Sequence, residues 1–170
     1  KGSLRITPSP YTLNDADAVS MVCRRQTEHN FSAATELEFN ALKTHEEAGM
    51  TLIQNNTHHY DLLFTKSGDR RIVQLRVRVG SLSYIAAEKE VEGNRVLLKI
   101  EGTPDHYSFY LADPKNQEYI ELGKQDTRYL STEVAGGFTG VMIGLYAFSN
   151  GELSSAKAFF DWFDYESGER

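Results

Sequence analysis

Apolar and polar residues alternate along most of this chain, most clearly from Arg71 to Val79. Val73, Leu75, Val77 and Val79 fall on one side and Gln74, Arg76 and Arg78 on the other, the period of a strand with one face buried and one in water. Phe31 to Phe39 repeats the pattern with Phe31, Ala33, Leu37 and Phe39 inward, and Arg95 to Glu101 does so with Val96, Leu98 and Ile100. Turn-forming residues interrupt these runs at Asn55-Asn56, Ser67-Gly68-Asp69, Gly93-Asn94, Thr103-Pro104-Asp105 and Asp113-Pro114-Lys115-Asn116, where their dihedral preferences favour reversal. The pattern predicts strands near residues 3–7, 19–26, 31–39, 47–54, 58–66, 71–79, 82–91, 95–101, 106–112, 117–122, 139–147 and 157–165. With no strong amphipathic helix, many short hairpin-linked strands imply an all-β, two-sheet antiparallel sandwich.

The strand count suits a large jelly roll of the concanavalin A-like lectin/glucanase type better than a seven-stranded immunoglobulin sandwich. One stretch breaks the rhythm. Residues 123–138 exceed the usual connection length, and they are either a crossover pinned by Leu130 and Val134 or a loop carrying binding residues.

Composition adds limits. The 170 residues, 40% hydrophobic and 25% charged, fit one domain over 1–170 that buries roughly two-thirds of its unfolded surface without staples. A single cysteine, Cys23, excludes an internal disulfide and is expected as a small buried hydrophobe in the apolar segment from Val19. It leaves the compartment open between a bacterial cytoplasm and the periplasm or exterior. A net charge of −6 with scattered basic residues argues against a nucleic-acid groove. No apolar run approaches the roughly 20 residues of a membrane span. The chain begins Lys1-Gly2 without methionine, which points to a processed chain or a piece of a longer one.

Few residues promise chemistry. Glu88, Glu90 and Glu92 alternate on one strand, the spacing that a carboxylate pair for glycoside hydrolysis would use, although a solvated strand end before the Gly93-Asn94 turn is the more economical explanation. In Phe159-Phe160-Asp161-Trp162-Phe163-Asp164-Tyr165, Asp161 and Asp164 have opposite parity, and Trp162 is expected as a core anchor. His58 and His59 are adjacent and so face opposite ways, while His59 and Asp61 share a face as a hydrogen-bonded surface pair. A structural calcium ion is compatible with a sandwich, but no spacing indicates one and no cofactor is implied.

The stretch from Tyr129 through Gly136-Gly137-Phe138-Thr139 to Ala147 resembles the C-terminal domain of glycoside hydrolase family 43 β-xylosidases and α-L-arabinofuranosidases. Arg24-Arg25-Gln26, Glu46-Glu47-Ala48-Gly49-Met50, His58 to Leu63, Asn94 to Gly102, Tyr107-Ser108-Phe109-Tyr110 and Phe160-Asp161-Trp162-Phe163 resemble it in the same order, from about Leu4 to Tyr165. The resemblance implies a non-catalytic concanavalin A-like sandwich behind a five-bladed β-propeller that holds the catalytic carboxylates, with xylo- or arabino-oligosaccharide as substrate. It also implies a sandwich loop that presents a phenylalanine to the substrate, here Phe138 after Gly136 and Gly137. Packing of Phe138 inward at the start of the next strand is the competing expectation.

Two other readings stand beside the accessory domain. An autonomous carbohydrate-binding module would use exposed rings, with Tyr84, Tyr110 and His106 as candidates. A self-contained glycosidase would use Glu88, Glu90 or Glu92.

Overall fold

A computed structural model describes residues 2–41 and 43–168. The strands are β1 (Leu4–Ile6), β2 (Met21–Arg25), β3 (Phe31–Phe39), β4 (Glu47–Asn55), β5 (His58–Ser67), β6 (Arg70–Val79), β7 (Leu82–Val91), β8 (Arg95–Gly102), β9 (His106–Ala112), β10 (Ile120–Asp126), β11 (Met142–Phe148) and β12 (Ala158–Ser167). A single 3₁₀ turn at Thr127–Leu130 and a four-residue helix, α1 (Thr132–Ala135), lie between β10 and β11. The strands form two six-stranded antiparallel sheets, ordered β1-β12-β3-β8-β9-β10 and β2-β11-β4-β5-β6-β7. This is the expected sandwich.

Between the sheets lie Phe39, Met50, Leu62, Phe64, Phe109 and Phe160, each at most 2% exposed. Burying such side chains contributes about 1.5–3 kcal/mol apiece before chain entropy is counted. Tyr60 is wholly enclosed, packs edge-on to Phe109 at 6.2 Å, and donates its hydroxyl to the Asp126 carbonyl at 2.7 Å. Burial pushes its phenol pKa up. That bond ties β5 of one sheet to the end of β10 in the other.

The pairing register decides which loops meet. Ile53 pairs with both Met142 and His59, and Val79 with both His58 and Leu82, so one end of the second sheet collects the end of β4 and the starts of β5, β7 and β11. In the first sheet Gly102 pairs with Tyr107, and His106 with Asp126, at the same end.

Several expectations need correction. A bulge in β12 sets Phe160 opposite Leu37 and Phe163 opposite Thr35, three residues against two, which reverses the parity beyond it. Phe163 and Tyr165 therefore pack on the core. Trp162 is only half-buried, with its carbonyl accepting the Thr35 hydroxyl at 2.5 Å, and is no core anchor. Asp161 and Asp164 then both point away from the core. Cys23 is exposed, because β2 is an outermost strand with no neighbour on one side. The tenth strand runs from Ile120 to Asp126, beyond the expected 117–122, past a register shift near Gly123.

The outer face of the second sheet is also partly dry. Leu13, from the segment before β2, packs on Leu63, Tyr146 and Phe148, and Ser9 bridges to Phe148. Arg76, expected in water, has a side chain only 19% exposed, held by Glu47 and Asp61 with its guanidinium 5.7 Å from the Phe148 ring.

Candidate functional site

The connection from β10 to β11 crosses the end where these loops meet. Leu130 anchors it with no exposed surface, whereas Val134 is 47% exposed and pins nothing. Two side chains at the end of β4 hold it instead: Asn55 Nδ2 donates to the Ala135 carbonyl at 3.0 Å and Gln54 Nε2 to the Gly136 carbonyl at 3.3 Å. Immediately beyond these clamps the backbone turns left-handed, with φ of 76° at Gly136, 83° at Gly137 and 71° at Gly140. A side chain would be strained at those angles. The result is a rigidly rooted tip bearing Phe138, whose relative exposure is 104%. Inward packing of Phe138 at the start of β11 is not what the structure adopts, because β11 begins four residues later at Met142.

Removing a clamp should loosen the tip. Asn55→Ala is expected to speed chymotryptic cleavage after Phe138 several-fold while leaving the melting temperature nearly unchanged, since local opening requires little else to unfold. An unaltered cleavage rate would show that Asn55 does not hold the loop.

A cleft of about 410 Å³ lies beside this loop, bounded by residues 26–29, Thr103-Pro104 and residues 127–133, with Gln54, Tyr107 and Val141 among its lining. Burial pushes the Tyr107 phenol up to about 12, opposed by its hydrogen bond with Gln26. The Tyr107 hydroxyl donates to Gln26 Oε1 at 2.8 Å, and Gln26 Nε2 to the Glu28 carbonyl at 2.9 Å. Glu28 accepts the hydroxyls of Thr27 at 2.5 Å and Tyr165 at 2.6 Å, bonds that lower its pKa. The Arg24 guanidinium lies 3.5 Å above the Tyr165 ring.

The other candidates do not converge there. Tyr110 and His106 share the outer face of β9, where Lys99 Nζ sits 4.6 Å from the Tyr110 ring and the half-exposed His106 approaches Asp126 at 3.6 Å. Tyr84, 54% exposed, is on β7 of the other sheet opposite Val77. Glu88 and Glu90 stand 49% and 60% exposed beside Arg70, at 3.8 and 3.5 Å. Glu92 lines a shallow depression with Glu90, Lys89 and Arg95, away from the cleft beside Phe138.

His59 and Asp61 do pair, at 2.8 Å, but both are buried rather than on a wet surface. His59 Nε2 meets Asn14 Oδ1 at 2.9 Å. Among the described residues no three His, Cys, Asp or Glu side chains gather as a metal set. Burial by itself would raise the Asp61 pKa; His59 and Arg76 beside it, with hydrogen bonds from His59 and Thr51, outweigh that and hold it at about 2 against an ordinary 3.8. A carboxyl depressed on folding stabilises above its unfolded pKa, and that stability is lost as pH falls through the folded one. Wild type should therefore lose roughly 2 kcal/mol between about pH 4 and 2 through this group, and Asp61→Asn should flatten that part of a urea-midpoint profile. An equally steep profile in the variant would remove Asp61 from the account.

Gln54, Asn55 and the Arg76 cluster were not singled out in the sequence. Only the polar ending of the β4 pattern, Gln54-Asn55-Asn56, signals the clamp, and it reads equally as a turn.

Comparison with known proteins places this arrangement. Residues 1–166 match the family model of the beta xylosidase C-terminal Concanavalin A-like domain. Over 165 residues the chain is 34% identical to the non-reducing end alpha-L-arabinofuranosidase BoGH43B of Bacteroides ovatus, covering 96% of this chain and 31% of that protein. It is 31% identical over 166 residues to a xylosidase/arabinosidase of Butyrivibrio fibrisolvens, covering 97% of this chain and 32% of that protein. The solved Bacteroides ovatus Xyloglucan PUL GH43B superposes with a TM-score of 0.92 over 97% of this chain and 32% of its own. The GH43 BlXynB protein from Bacillus licheniformis, 24% identical, shares the fold at 0.91 over 98% of this chain and 33% of its own. The chain thus spans about a third of the length of the relatives it matches. It belongs to the β-xylosidase C-terminal concanavalin A-like family, the accessory sandwich of glycoside hydrolase family 43 enzymes.

Proposed function

We propose that this sandwich packs against a catalytic five-bladed propeller and completes its substrate pocket with the Phe138 tip. The observation that carries the reading is the exposure of Phe138 on a loop clamped by Gln54 and Asn55 and freed at Gly136 and Gly137. Phe138 is the most exposed large apolar side chain among the described residues, so a partner that covers it gains the burial of a whole ring. Proton transfer would rest with carboxylates of the propeller, as the resemblance implies. The ring would exclude water and narrow the sugar site, favouring release of single residues from the ends of xylo- or arabino-oligosaccharides.

The test is a chimera in which this chain replaces the matching third of the Bacteroides ovatus relative. Burial of a phenylalanine is worth about 1.5–3 kcal/mol, so Phe138→Ala should raise KM for an aryl arabinofuranoside about tenfold or more, with a smaller change in kcat. Identical KM values in the two chimeras would refute the assignment.

A further inference from the structure

Gln54 occupies an inward-facing position of β4 where the two sheets part, and its side chain is 92% buried, being only 8% exposed. Its amide nitrogen is committed to the Gly136 carbonyl, which fixes the other end of the amide as an acceptor. That Oε1 atom is buried and meets no donor. Buried polar atoms are nearly always paired, so an orphan of this kind marks a place where a donor is to arrive.

Gln54 lines a cleft that can supply such a donor. Its volume of about 410 Å³ is within the range of small-ligand sites, roughly 300–1,000 Å³. Among the charged groups around it, Glu28 accepts the Tyr165 and Thr27 hydroxyls, Arg128 lies 3.3 Å from Asp126, and Glu133 is hydrogen-bonded by Ser131 and its own backbone N–H. Pro104, Leu130 and Val141 supply apolar lining. A charged ligand would find no unmatched partner among these groups. A neutral one with hydroxyls on one side and C–H groups on the other would fit both the orphan oxygen and the apolar wall.

We infer that this cleft binds a neutral hydroxyl-rich ligand, a short pentose oligosaccharide, with Gln54 Oε1 accepting one of its hydroxyls. The choice of a pentose rests on the proposed function; the need for a hydroxyl donor does not. Occupancy also reaches the Phe138 tip, because an amide that accepts at Oε1 becomes a stronger donor at Nε2, tightening its bond to Gly136.

The experiment is a ¹⁵N-resolved NMR titration of this chain with xylotriose and, separately, arabinotriose. Saturable shifts are expected at Gln54, Thr103 and Leu130 with at least one of the two sugars, with millimolar dissociation constants. Gln54→Met should weaken binding about tenfold, whereas Arg70→Ala, at the opposite end of β6 from the cleft, should bind as wild type. Saturating sugar should also slow chymotryptic cleavage after Phe138. Absence of saturable shifts for both sugars at tens of millimolar overturns the inference, as does equal binding by Gln54→Met. Shifts confined to the outer face around Tyr110 and His106 in the wild-type chain overturn it without any variant. Binding here and an unchanged KM for the Phe138→Ala chimera would refute only the pocket assignment, so the two readings fail separately.

Discussion

Replacing Arg76 with alanine is expected to destabilise the domain by about 3–5 kcal/mol. Its Nη1 and Nη2 donate to the two oxygens of Glu47 at 2.8 and 2.9 Å, and its Nε to Asp61 Oδ2 at 2.8 Å. Glu47 is 6% exposed and Asp61 fully buried, while the Tyr146 hydroxyl donates to Glu47 at 2.6 Å. Taking the guanidinium away strands two buried carboxylates, which is far costlier than losing a surface ion pair. The neighbouring carboxylates push the Arg76 pKa up despite burial. In a domain whose whole stability is about 5–15 kcal/mol, the melting temperature should fall by about 10 °C or more. Adding Glu47→Gln and Asp61→Asn to Arg76→Ala should recover part of the loss, because neutral amides tolerate burial better than unpaired charges. A drop below about 1 kcal/mol would show that water reaches the cluster.

Gly49→Ala is the second large effect. Gly49 is the third residue of β4, paired with Leu63 and with Tyr146. A methyl group there would collide with the Leu62 carbonyl oxygen and lie 2.8 Å from Leu63 Cα. Both obstacles are backbone of β5, so no side chain can rotate aside, and the two strands must separate. A glycine within a strand often marks this kind of close approach. The expected cost is about 3 kcal/mol or more, at the top of the range for overpacking, measured as a shift in urea midpoint with the slope unchanged. Since β4 also carries Gln54 and Asn55, the variant should expose the Phe138 tip to chymotrypsin as well. Wild-type stability in Gly49→Ala would mean that β4 and β5 can move apart freely.

What could be read from the sequence, and what could not, follows from the range of the interactions. Alternation is local, so β3, β6 and β8 announce themselves within eight to ten residues, and with them the two-layer architecture. The bulge in β12 is set by its partner Thr35, 127 residues from Trp162, and nothing in the aromatic run discloses it. Exposure of Cys23 depends on β2 being an outer strand, a property of sheet order rather than of its own residues. The dry network around Arg76 needs Glu47, 29 residues earlier, and Tyr146, 99 residues beyond Glu47, together with a covering segment at Leu13. The position of Phe138 was legible only through the family resemblance, with Gly136 and Gly137 before it permitting the positive φ of the tip. The two clamps were not, since Asn55 and Ala135 are 80 residues apart.

The central claim is that chemistry lies outside these 170 residues while Phe138 reaches the sugar on which it happens. The most direct measurement is a crystal structure of the chimera with an arabino- or xylo-oligosaccharide soaked in. The account predicts the Phe138 ring in van der Waals contact with the bound sugar, at about 4 Å, in the propeller's pocket. A ring left in solvent, with the sugar bound elsewhere and untouched by the 136–140 loop, would contradict it.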